Sequence, residues 1–462
     1  MKVRNLFGGR MARATLALLA AGTVGSCSGV TDTLLEATDP DLILPPNVQS
    51  PDGALAVANG ALGRFNQITA GAESTWLFGG LLADEWSTSS TFVQNDETDQ
   101  RRIQTNNSSI TGMLRRLAQV RTYANQAIPL LKQYQASRTD LIGEMYFIRG
   151  FAELQMASDF CNGIPLSDGS GEQIVYGDPL PVADVFRAAV ASFDSALATA
   201  TGTSSAYVLI QNAAKVGKGR ALLGLGQFDQ AAAAVAGVPT TFAYQTTFSL
   251  TTATNIIWEQ GLSARRYSVA DSVEGNGRDI LVRNAIPFGS ARDPRLPVTD
   301  TRTPGQDGQT FVRTTTLYDR LTPIDVVNGI DARLIEAEAA LRANNVSQWL
   351  SILNGLRTGP NRVTQVGTVT LSATALPALS DPGTPEARVN LHFREKAFWT
   401  FSRGQRLGDL RRLIRQYGRS PNDVFPVGVH YKGGSYGNDV NMPVVQDEEN
   451  NPKFRGCLDR NA

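Results

Sequence analysis

Histidine is nearly absent from this chain: His392 and His430 are the only two in 462 residues. A multi-histidine metal centre is therefore excluded, and little room is left for acid–base chemistry built on imidazole. Net charge is missing as well, since 43 Lys+Arg face 43 Asp+Glu. The chain thus lacks the basic footprint with which most nucleic-acid binders neutralise phosphates. Cysteine is scarce, with only Cys27, Cys161 and Cys457. What is present is an ordinary hydrophobic fraction of 42%, enough for a large core. At ~150 residues per domain, one large domain or two to three smaller ones would fit.

The N-terminus is tripartite. Lys2, Arg4, Arg10 and Arg13 precede an apolar run beginning at Ala14, and Val24-Gly25-Ser26-Cys27 follows. The apolar run is shorter than the ~20 residues of a spanning helix and reads as a signal peptide. Its end resembles the bacterial lipobox, in which small residues precede a cysteine that is acylated. The alternative is a plain signal peptide with an incidental cysteine. Lipidation at Cys27 would give multi-chain anchoring, and Ser28-Gly29 lacks the Asp of inner-membrane retention, so an outer-membrane address is expected. Removing residues 1–26 takes four of the 43 basic residues and no acidic one, leaving a formal charge of −4.

With Cys27 lipidated, Cys161 and Cys457 remain as one candidate disulfide in an oxidising compartment. Closing so long a loop would be worth roughly 4–5 kcal/mol in the chain-entropy model. Two free buried thiols are the alternative.

The body after the leader is patterned as helices. Ser50-Pro51 starts one, Trp76 to about Glu85 a second, and residues 86–107 read as a polar, exposed loop. Apolar residues at three- and four-residue spacing mark a helix from Ile110 to Leu131, which Pro129 should kink or end. Further helices are expected at about 141–157, 182–200 and 206–225. Gly219-Arg-Ala-Leu222-Leu-Gly-Leu-Gly226-Gln-Phe228-Asp-Gln-Ala231 has the small and large residues of a tetratricopeptide helix–turn–helix. A second such unit begins at Ala332, and Glu144–Ala157 with Val182–Ala200 forms a third; generic antiparallel pairs are the alternative. Residues 239–322 and 359–385, rich in Thr, Gly, Asp and Pro, read as irregular excursions with short strands, a length usually reserved for functional surface.

These features, with Asp293-Pro-Arg-Leu296 and a late Arg-Glu helix, resemble the SusD/RagB family. The best motif is Arg394-Glu395, Phe398, Gly404-Gln-Arg406 and Asp409-Leu-Arg411-Arg412, in which Gly404 is expected to end one helix in a left-handed conformation. Glu144 with Arg149-Gly150, then Ile164-Pro165-Leu166, resembles an earlier family helix, and Leu334–Glu338 a third. Arg403 stands where the family usually has Glu. The resemblance implies a mainly α fold: tetratricopeptide-like helix pairs forming a right-handed scaffold with short-strand excursions. The expected organisation is a signal peptide over 1–26, a lipidated extended leader over 27–50 and a single body over 51–462. Within that body lie helical pairs at about 108–236 and 323–357 and signature helices at about 387–416. The charges of the signature are expected to pair across helices rather than to catalyse.

The resemblance further implies capture of an oligosaccharide for delivery to a SusC-type TonB-dependent transporter, with no cofactor, no resident metal, no nucleic acid and no reaction. Sugar capture needs aromatic faces beside amides and charges. Trp86, Phe92, Trp258, Tyr267 and Tyr318 are the candidates, each with burial in the core as the alternative. Asn95-Asp96-Glu97 has the donors for calcium. Three other readings stay open: peptide uptake, a scaffold without a small ligand, and a glycoside hydrolase using Asp84 and Glu85.

Overall fold

Ser50 opens the first described helix: its side chain accepts a hydrogen bond from the Gly53 amide at 3.0 Å, and Pro51 fits the first turn where no donor is required. The computed structural model describes residues 48–462 apart from 73, 172, 252, 359–364, 367–368, 371–375 and 445. The signal segment, Cys27 and the leader to residue 47 lie outside the described residues. Ser50–Ala462 form one compact unit.

Helix α1 (Pro51–Ala70) is followed by α2 (Thr75–Leu82), all of whose residues are buried. The expected exposed loop at 86–107 is instead a buried strand, Trp86–Thr88, and a short helix, α3 (Val93–Asp99). Its polar residues can be buried because their hydrogen bonds are made internally. The Asp99 carboxylate accepts from the Thr88 amide at 2.7 Å, and the Arg101 guanidinium donates to the carbonyls of Pro426 and Asp439, each at 2.8 Å. Helix α4 (Ser108–Tyr134) runs on through Pro129. Proline removes one backbone bond near the helix end, and the buried Ile128 and Leu131 on either side keep the turn packed.

The paired helices are α5 (Thr139–Asp159) with α6 (Val182–Thr199), and α7 (Ser205–Gly224) with α8 (Phe228–Val235). Small residues set their spacing. A Cβ at Gly150 would lie 3.0 Å from the Phe193 ring and one at Gly217 2.5 Å from the same ring, so Phe193 is held between two bare helix surfaces. Leu222 fills the next gap as expected, whereas Phe228 sits half-buried beneath the Arg342 guanidinium.

The excursion between the helix pairs contains α9 (Ile256–Trp258), a π-helical turn at Glu259–Ser263, and antiparallel strand pairs such as Trp86–Thr88 with Tyr267–Val269 and Val298–Pro304 with Phe311–Thr315. No sheet among the described residues exceeds two strands. The described residues are therefore mainly α-helical. A further pair, α10 (Gly329–Arg342) with α11 (Val346–Thr358), closes around the buried Leu334, Trp349, Leu353 and Leu356.

The signature region forms α12 (Pro385–Trp399) and α13 (Arg406–Tyr417). Helix α12 stops at Trp399, five residues earlier than expected, because Ser402 and Gly404 both adopt left-handed backbone in the connection. Gly404 is required there: a Cβ would lie 2.3 Å from the Trp76 ring. The signature charges are structural. Glu395 accepts from Arg295 and Arg357 at 2.8 Å each; Lys396 bridges to Asp409 at 2.7 Å; Arg412 pairs with Glu338. Burial pushes Glu338 up, yet Arg412 and His392 hold it well below the ordinary carboxylate range. Arg403 donates to both oxygens of Asp331 at 3.0 and 2.7 Å, which accounts for a basic residue at that position. Cys161 and Cys457 are joined by a disulfide that ties the end of α5 to the C-terminal tail.

Candidate functional site

Residues 254–266 organise the surface where the candidate aromatics meet. Asn255 caps α9 by accepting from the Ile257 and Trp258 amides, and its own amide donates to the Thr322 carbonyl at 2.9 Å. The π-helical turn that follows is anchored by left-handed Arg265, whose carbonyl accepts from the Ser89 hydroxyl at 2.7 Å. Turns of this kind recur at functional sites.

One face of this segment closes over an aromatic cluster. Trp86, Trp258, Tyr267 and Tyr318 line a single cavity of only about 10 Å³, no more than one water would need. Trp86 and Tyr267 are each 2% exposed and Tyr318 6%. Trp86 Nε1 donates to the Ser402 hydroxyl at 3.0 Å, and the Tyr318 hydroxyl to the Phe401 carbonyl at 3.3 Å. Four of the five candidates are thus brought together, but in this conformation a pyranose cannot reach the rings of Trp86, Tyr267 or Tyr318. Their ring–ring contacts and satisfied polar tips are those of core residues. Trp258 is half-buried at the edge of the cluster. Phe92 stands apart: it is 51% exposed, with the Arg266 guanidinium 4.1 Å above its ring, and no other aromatic among the described residues is classed as exposed.

The opposite face of the same segment borders an open groove of about 660 Å³. Ile256 and Glu259 point to it, together with Thr247, Phe248 and Thr254 of the excursion. Gly60, Gly63, Arg64, Asn66 and Gln67 of α1 and Arg116 of α4 form the other wall. The Arg64 guanidinium donates to Gln119 Oε1 and the Tyr123 hydroxyl, each at 3.3 Å, and lies 5.0 Å over the Tyr123 ring. Glu259 accepts from the Thr254 hydroxyl at 3.0 Å. None of these lining residues is among the five aromatic candidates. The signal that could have found them is Gly60 and Gly63 three apart within a helix, where each glycine costs about 1 kcal/mol relative to alanine.

The carboxylates considered for hydrolysis are committed elsewhere. Asp84 receives Arg406 Nε and Nη2 at 2.6 and 2.9 Å and the Ile286 amide at 2.9 Å. Glu85 Oε1 accepts from the Ser402 amide at 2.9 Å. Both are buried, and burial pushes Glu85 up to about 8. Neither faces a cleft that would hold a glycosidic bond. Asp96, offered as a calcium donor, is held by the Lys432 ammonium at 2.7 Å.

No family model matches the chain. The curated relatives it matches include flagellar P-ring proteins of Pseudomonas paraeruginosa PA7 and Pseudomonas aeruginosa LESB58. Each is 27% identical over 117 residues, covering 23% of this chain and 31% of theirs, so the chain spans just under a third of their length. Solved structures match far more of it. A SusD-like carbohydrate-binding protein from Bacteroides fragilis NCTC 9343 superposes with a TM-score of 0.62 at 14% identity, covering 88% of this chain and 99% of that one. A SusD superfamily protein from Bacteroides vulgatus ATCC 8482 gives 0.59 at 14%, with the same coverages. B. fragilis NanU gives 0.55 at 12%, covering 89% and 97%. The fold expected from the sequence is the fold observed: this chain has the SusD-like fold over nearly its whole described length.

Proposed function

We propose that this chain is a surface capture protein: lipidated at Cys27 and held on the outer membrane, it binds an oligosaccharide in the groove and passes it to a SusC-type TonB-dependent transporter. The groove carries the reading. At about 660 Å³ it lies within the 300–1,000 Å³ typical of small-ligand sites. It offers guanidinium, amide, hydroxyl and carboxylate groups for sugar hydroxyls and the Phe248 ring for a C–H face. Structures of this fold described as carbohydrate-binding support it, as does the basic–apolar–small–cysteine order of residues 2–27. Phe92, exposed beside Arg266, and half-buried Trp258 are proposed as outlying stacking faces, and the paired helices as the surface that meets the barrel. Capture breaks no bond, in keeping with Asp84 and Glu85 being committed to internal partners.

Calorimetry of the lipidated mature protein in detergent against a panel of oligosaccharides tests this reading. Heat is expected with at least one saccharide and is lost in Gly63→Trp, which puts a large ring into the groove from a position where an added Cβ meets nothing within 4 Å. Heat with peptides alone redirects the reading to peptide uptake. Silence with both, while the barrel still copurifies, makes the chain a scaffold, and released hydrolysis products would overturn a capture role. Labelled palmitate should attach to the wild type and not to Cys27→Ala.

A further inference from the structure

We propose that the groove selects a saccharide bearing a carboxylate, a uronic-acid oligosaccharide, which docks its acid on Arg64; this rests on the capture reading above. Arg64 lines the groove with Arg116, and its own hydrogen bonds and ring contact are to neutral groups: Gln119 Oε1, the Tyr123 hydroxyl and the Tyr123 ring. A guanidinium has five N–H donors in a fixed fork. The two bonds to Gln119 and Tyr123 hold the plane and leave donors over, so a planar acceptor can be met in the bidentate manner with little further loss of side-chain freedom.

The surroundings fit a sugar acid better than a simple anion. Next to Arg64 the helix surface is bare, because Gly63 meets nothing and Gly60 only the Tyr123 ring edge at 3.9 Å. The C–H face of a pyranose chair can therefore lie against the helix with its acid on the adjacent guanidinium. Asn66 and Gln67 supply amides for hydroxyls on the same wall. Across the groove Glu259 presents the opposite charge. It accepts hydroxyl protons and disfavours an acid against its own wall, so the sugar ring docked at α1 is bound in one direction, acid toward Arg64 and hydroxyls toward the excursion.

The test compares matched probes that differ only at C6: tri-galacturonate against galactotriose, and tri-glucuronate of β-1,4 linkage against cellotriose. Each is titrated calorimetrically into the lipidated mature protein. At least one acidic probe is expected to bind tenfold or more tightly than its neutral partner. That preference should shrink as salt is raised, fall to near parity in Arg64→Gln, and survive in part in Arg64→Lys. Gly63→Trp should abolish binding of both members, with unfolding midpoints of all variants checked by circular dichroism. Equal or tighter binding of a neutral partner overturns the acid preference and leaves capture standing. Absence of binding by both acidic probes overturns the preference as well, and silence with every saccharide of the wider panel removes the capture reading along with it. An acid preference that persists in Arg64→Gln overturns the assignment to Arg64.

Discussion

Glu85 offers a stability test whose sign and size follow from its surroundings. The carboxyl is fully enclosed, its Oε2 has no hydrogen-bond partner, and the nearest guanidinium, Arg406, is taken by Asp84 through both Nε and Nη2. Burial is the largest influence and pushes the group up to about 8, against an ordinary value near 4.5. Between those two values the folded chain keeps a proton that the unfolded chain has released, so stability falls as pH rises. The slope approaches ~1.4 kcal/mol per pH unit in mid-range and flattens near both values, for about 3.5 kcal/mol between pH 5 and pH 8. Glu85→Gln keeps the shape, still accepts from Ser402, and removes the titration. Urea unfolding should therefore show the variant within about 1 kcal/mol of wild type at pH 5, then gaining about 3.5 kcal/mol on it by pH 8. Asp159 and Glu274, both pushed by burial to about 7, add slope of the same sign. They are present in both proteins and cancel in the difference. Parallel pH profiles for the two proteins, or a variant weaker at every pH, would mean that Glu85 is ionised and paired, and would refute the reasoning.

Three further outcomes are expected. Replacing Cys161 and Cys457 together by serine removes a bridge spanning 296 residues and should lower stability in non-reducing buffer by on the order of 5 kcal/mol; an unchanged urea midpoint would show that the tail is held by its other contacts. Arg403→Glu sets a carboxylate against buried Asp331 and strips it of two charge-assisted bonds, for a loss of at least ~3–5 kcal/mol, and adding Asp331→Arg should recover part of it in thermal melts. Gly63→Ala, exposed in mid-helix with open space around it, should raise stability by about 0.5–1 kcal/mol, and a fall would mean that the backbone there needs the freedom of glycine.

Helices were legible wherever a local chemical signal and an apolar stripe coincided. Ser50-Pro51 carries its own start signal, and the small residues of α5 and α7 announce close packing before any partner is known. Local signals misled where tertiary contacts decide. Pro129 reads as a break, yet two buried neighbours carry α4 through it. Residues 86–107 look solvated because their composition is polar, but composition cannot show that Asp99 and Arg101 meet backbone groups brought in from as far as residue 439. The pairing expected of the signature charges is found in part: Asp409 meets Lys396 on the neighbouring signature helix, and Glu395 and Arg406 reach a base and an acid 100 and 322 positions away. Arg394, by contrast, lies 5.0 Å over the Phe398 ring, and Arg411 donates to the Ala157 and Ser158 carbonyls.

The candidate site divides along the same line. Aromatic side chains attract notice in a sequence because their faces suit sugars, but the same area drives them into the core. Trp86, Tyr267 and Tyr318 went that way, each with a polar tip or a ring neighbour to satisfy it. An open groove is made instead by what does not fill space. Gly60 and Gly63 weaken α1 by their helix propensity, and a helix that tolerates two such residues within four positions has something to gain from a bare surface. The guanidinium beside that surface, Arg64, is held by an amide and a phenol rather than by an acid. Open grooves of this kind are written in a sequence as costs without local return, and a reading that weighs each helix glycine against the alanine it could have been would look first at α1.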